Sequence, residues 1–142
     1  MTDAIEAHLT MAREAAAGGR AGDARNAYAR AAALSRESGA PLLQAHALRH
    51  LSDLDREADH PEQALAHAGQ AAALYGANGK GASLDMANAL RLKALALDQL
   101  RREEPAIAAW TAARDLYAAV EVAAGVAECE QRLRRQDEAW PH

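Results

Sequence analysis

Small and large apolar residues recur along this chain at helical spacing. The stretch "AIAAWTAARDL" places Ala106, Trp110, Ala113 and Leu116 at i, i+4, i+7 and i+10, which is one stripe on a helix. The same arrangement stands at Ala24, Tyr28, Ala31 and Leu34, and again at Ala64, Ala68, Ala71 and Leu74 with alanine replacing the aromatic. Ala24 and Ala64 are 40 residues apart and Ala64 and Ala106 are 42 apart, so the pattern is an internal repeat.

Glycine and proline divide the chain into seven predicted helices, roughly 3–17, 22–37, 42–57, 61–75, 84–101, 105–119 and 125–136. Pro41, Pro61 and Pro105 stand where helices should begin, a position at which a missing N–H costs nothing. Ser83 is a candidate N-cap, and Asp23 lies at the start of another helix. Short connections favour antiparallel neighbours.

Each copy of the motif marks the second helix of a hairpin. Ala12, Ser52 and Ala94 lie twelve residues before its first alanine, and a small residue there lets the two helices touch. The segment "GVAECEQRLRR" continues the first-helix register, with Ala127, Cys129 and Leu133 following Ala87, Ala89 and Lys93 by 40 residues. Glu130 falls where earlier copies place Leu48 and Leu90, a polar substitution suited to a capping helix with no next repeat to cover it. The expected architecture is one all-α domain: an α-solenoid of hairpins over about 3–37, 42–75 and 84–119, a capping helix over about 125–136 and a tail over 137–142.

Composition agrees. Half of the 142 residues are hydrophobic, 40 are alanine, five are aromatic and none is Phe, which suits closely packed helices better than a β-rich core. A net charge of -4 argues against a general nucleic-acid binder. Cys129 is the only cysteine, so no internal disulfide or Cys-based zinc cluster can form. No window approaches the roughly 18 uncharged apolar residues of a membrane span, and the acidic, amphipathic start is unlike a signal peptide. A cytoplasmic protein without membrane association is expected.

The paired helices, with a small residue on the first against Ala, aromatic, Ala on the second, resemble the tetratricopeptide repeat (TPR) over about residues 4–136. The usual period is about 34 residues, and the longer period here resembles the extended variants. The repeat-ending proline is missing, His8, Leu48 and Leu90 replace the first-helix aromatic, and the second copy lacks the second-helix aromatic. The resemblance implies a right-handed solenoid whose first helices line a concave groove for a peptide or protein, with no catalysis and no cofactor. The carboxylate clamp of some family members does not carry over, because Leu9, Arg13, His50, Asn88 and Leu92 occupy its places.

In that register the groove should receive Glu6, Leu9 and Arg13 from the first copy, and His46, Arg49, His50, Asp53 and Arg56 from the second. The third should give Asn88, Arg91, Leu92 and Leu95, and the last helix Glu128, Gln131, Arg132 and Arg135. Arg13, Arg49, Arg91 and Arg135, one per layer, suit an acidic segment or C-terminus, since guanidinium groups hold carboxylates bidentately. The alternative is that such charges are solvated or paired with nearby carboxylates.

His46, His50 and Asp53 share a helical face, which admits a metal site, although two imidazoles and one carboxylate are a thin ligand set; a pH-sensitive patch is the other reading. The loop "GANGKGAS" lacks the spacing and preceding strand of a phosphate loop. Gly69 interrupts a helix and suggests close approach by a neighbour. Cys129 is expected as a small buried thiol rather than a nucleophile, and no triad, metal motif or cofactor loop is visible. The leading expectation is a non-enzymatic protein- or peptide-binding scaffold. A self-associating module, with Leu92, Leu95 and the cap helix in a homodimer, is the alternative.

Overall fold

The computed structural model describes residues 2–139. Its helices are α1 (Thr2–Ala17), α2 (Ala21–Glu37), α3 (Pro41–Glu57), α4 (Pro61–Ala77), α5 (Leu84–Gln99), α6 (Glu103–Ala119) and α7 (Ala123–Ala139). Each helix packs on the next in the chain, and α3 also touches α5. The result is a helical solenoid of three hairpins closed by a seventh helix, with no strand among the described residues.

The repeated stripe forms the seams. Ala24, Ala31, Ala64, Ala68, Ala71, Ala106, Trp110 and Ala113 are wholly buried, and Tyr28 nearly so. Ala12, Ser52 and Ala94 meet them from the first helices, all buried, and Ser52 Oγ donates to the Ala64 carbonyl at 2.7 Å across its hairpin. Small side chains at these positions bring the backbones close enough for that bond.

A turn of one design links five of the six helix pairs and also ends α4. A residue with positive φ follows each of α1 to α6: Gly19, Gly39, Asp59, Gly79, Arg101 and Glu121. The next N–H then bonds back to a carbonyl five residues earlier, as in Ala40 to Ser35 at 2.8 Å, His60 to Asp55 at 2.8 Å and Val122 to Tyr117 at 2.9 Å. This is the Schellman closure, which satisfies carbonyls left open at a helix end. Glycine supplies it at three sites only, which hides the pattern from a search for glycine.

Several expectations need correction. Pro105 is the third residue of α6, which starts at Glu103, and α7 runs beyond 125–136 at both ends, so the start of the expected tail is helical. Trp140 lies outside the described residues. Ser83 does cap α5, accepting from the Met86 N–H at 3.1 Å. Gly69 has open space around it and no close neighbour, whereas a side chain at Gly125 would collide with the Tyr117 ring. Leu92 and Leu95 are buried and do not face a groove, because α5 is covered by α3, α4 and α6 together. Leu9 is mostly buried as well, packed in the core with Ile5 and Leu48, and only its edge reaches the first-helix face.

Candidate functional site

The first-helix face divides into two halves of different character. Between α1 and α3, closed at one end by the α4–α5 connection, lies a cleft of about 400 Å³. Leu9, Leu42, Leu43 and Tyr75 supply its apolar surface, while Arg13, Lys80, Glu6 and Asp85 bring charge. His46 lines it, and Arg49 stands beside it with Nη2 3.8 Å from Asp85 Oδ1. Three cations thus face two carboxylates. Arg13 is exposed, and its Nη2 donates to Thr10 Oγ1 at 3.2 Å.

His46, His50 and Tyr28 form a ring stack beside this cleft. His50 lies flat on Tyr28, with centroids 4.9 Å apart and planes 7° apart, and His46 meets His50 edge-on at 4.6 Å. Burial, then the Arg49 and Arg13 charges, hold His46 below the usual imidazole range, with Asp85 opposing. Burial, His46 and Arg49 push His50 down to about 4, with Asp53 opposing. Burial raises the Tyr28 phenol in the same stack. Asp53 is drawn to Arg56 Nη2 at 2.6 Å. Among the described residues no three His, Cys, Asp or Glu side chains converge as metal ligands.

The half nearer α7 is internally paired. Arg91 donates to Glu128 through Nε at 2.5 Å and Nη2 at 3.0 Å, so its guanidinium fork is already filled. That hydrogen bond raises Arg91 and lowers Glu128 from their ordinary values. Asn88 Oδ1 accepts from the Tyr117 hydroxyl at 2.6 Å, and burial pushes that phenol up to about 12. Gln131 and Arg135 are exposed on α7. The four arginines therefore do not make one ladder: Arg13 and Arg49 border the cleft, Arg91 is committed to Glu128, and Arg135 stands apart.

Sequence reasoning missed Tyr75, Lys80 and Asp85, which reach the cleft from a second helix, a connection and the next first helix. It also missed two carboxylates outside the cleft, one buried and one half-buried. Asp55 meets Arg25 from α2 and His67 from α4. Asp98 accepts from the Trp110 indole N–H at 2.8 Å and from Gln136 Nε2, tying α6 and α7 to α5. Arg132 lies 5.4 Å over the Trp110 ring. Cys129 is wholly buried, and burial raises its thiol to about 11.

Among the described residues no helix is long and apolar enough to cross a membrane. No protein-family model matches the chain, and no curated protein matches it significantly.

Proposed function

We propose that this chain is a non-catalytic scaffold of the tetratricopeptide type that binds a protein or peptide partner along its first-helix face, seating an acidic segment in the α1–α3 cleft. The observation that carries this reading is the pairing of an apolar surface with an excess of cations: Leu9, Leu42, Leu43 and Tyr75 beside Arg13, Arg49 and Lys80. Apolar area with a few placed charges is what a segment-binding groove needs. In the half around Arg91 the guanidinium is already taken up by Glu128.

An array of acidic, neutral and basic peptides probed with the wild-type protein tests this. Retention of acidic peptides, lost in an Arg13→Ala, Arg49→Ala double variant with unchanged thermal midpoint, is the expected result. Equal capture by both proteins would refute it.

Self-association is the second reading, favoured by one observation on α1. Ala7 and Met11 occupy the positions at which α3, α5 and α7 bury Ala47, Ala89 and Cys129, or set Leu51, against the preceding second helix. On α1 both are exposed, Met11 to 55%. Light scattering over a dilution series should then show a dimer that Met11→Lys dissociates; a monomer throughout would remove this reading.

A further inference from the structure

We propose that the α1–α3 cleft is a proton-linked anion site, in which docking of an acidic segment between Arg13 and Arg49 is accompanied by uptake of a proton on His46. This deepens the reading of the cleft given above and rests on it.

The geometry supplies the link. Arg49 Nη2 lies 3.5 Å from His46 Nδ1, at the outer limit of a hydrogen bond. A guanidinium carries donors only, so Nδ1 must accept and the proton of the neutral ring sits on Nε2. A second proton therefore lands on Nδ1 and displaces Arg49. Asp85, 3.8 Å from Nη2, and the Tyr75 hydroxyl hold that arginine from the other side, while its Nε is buried without an acceptor.

The charged and titratable groups around the histidines come from every neighbouring element. Glu6 and Arg13 belong to α1, Tyr28 to α2, and Arg49 and Asp53 to α3. Tyr75, Lys80 and Asp85 come from α4, the connection and α5. The two arginines add to burial in keeping His46 neutral, against Asp85 alone. An anion between the guanidinium groups cancels both fields. It also accepts from the displaced Arg49 and from the new Nδ1–H. Binding and protonation then favour one another, because any two events that stabilise the same state are reciprocally linked. His50 does not serve this role, being pressed between Tyr28 and His46 and placed away from the cleft lining.

The probe is a capped oligopeptide of cysteic acid, whose sulfonates stay ionised throughout. Its affinity for the wild-type protein should rise on the order of tenfold between about pH 7.5 and about pH 5.5, the effect of one linked imidazole. Calorimetry in two buffers of different ionisation enthalpy should record proton uptake. The affinity of His46→Gln should change by less than about twofold across the range, while His50→Gln keeps the dependence. In the wild-type protein, NMR should show the His46 ring moving to its imidazolium position as probe is added near pH 6.5, a readout that stands even if the variant folds poorly. Binding that needs Arg13 and Arg49 but is pH-independent, with no proton uptake, overturns the linkage and leaves the cleft reading intact. No binding, or equal binding by the Arg13→Ala, Arg49→Ala variant, overturns both.

Discussion

His67 Nδ1 lies 2.7 Å from Asp55 Oδ2, joining the two helices of the second hairpin through a carboxylate that is 1% exposed. Arg25 of the preceding hairpin approaches the other oxygen at 3.0 Å as a charge contact rather than an aligned hydrogen bond. One buried acid therefore holds α2, α3 and α4. Asp55→Ala should destabilise the protein by about 3 kcal/mol, since it removes the acceptor of His67 and the counter-charge of Arg25 at once. Urea unfolding measures this, and a loss below about 1 kcal/mol would show the contacts to be incidental.

The positive-φ turns allow a gain. Arg101 and Glu121 hold φ of 58° and 60°, which carries a steric cost for any residue with a Cβ. Arg101→Gly and Glu121→Gly should each stabilise by about 1 kcal/mol. Asp59→Gly should gain less, because aspartate tolerates this region and its Oδ1 accepts from Gln99 Nε2 at 3.1 Å. Denaturation midpoints that fall in the first two variants would contradict the turn geometry.

Two helical glycines should behave oppositely. Gly69→Ala fills open space and should stabilise by about 0.5–1 kcal/mol, whereas Gly125→Ala drives a methyl group into the Tyr117 ring and should cost about 1–3 kcal/mol. Thermal scans of the two variants, shifting in opposite directions, check this.

Stability should decline on acidification before the carboxylates titrate. Unfolded imidazoles take up protons below about pH 6.5, while His50 in the fold resists until about 4 and His46 is also held down. The unfolded chain thus binds more protons through that window, so stability falls as pH falls. The Glu128 and Asp98 windows lie at its acid end, the first adding to the loss and the second opposing it. Urea midpoints at about pH 7 and about pH 5 should differ in the wild-type protein and converge in the His46→Gln, His50→Gln variant.

Cys129 should resist alkylation. Its thiol is wholly buried and raised to about 11, so iodoacetamide near pH 8 should modify it only through unfolding, at a rate that urea accelerates. Rapid labelling without denaturant would place the α6–α7 packing in error.

The seams were legible because alanine carries its meaning in spacing alone: Ala24, Ala64 and Ala106 are equivalent in register and equally buried. The position eleven residues after each went unnoticed, since Ser35, Tyr75 and Tyr117 share depth and nothing else. Leu92 and Leu95 were misplaced by treating an interior helix as having a single buried face, which is true of α1 and false of α5. Of the cleft, Arg13, His46 and Arg49 could be read from the first-helix register. Tyr75, Lys80 and Asp85 could not, because nothing local signals a side chain that arrives from the next layer. Asp55 with His67 and Asp98 with Trp110 are each twelve residues apart, a separation that acquires meaning only once the hairpin is closed.

The two ends of the stack are unlike. Ala7 and Met11 on α1 still present the ridge that inner repeats bury, while α7 turns Glu130 and Arg134 outward where α3 and α5 carry Leu48, Leu90, Ser52 and Ala94. A hairpin spliced ahead of α1 would meet a surface already shaped for it. One appended after α7 would have to dehydrate a glutamate and an arginine. Lengthening by duplication therefore has a direction, and engineered extensions of this array should be built from its amino-terminal side.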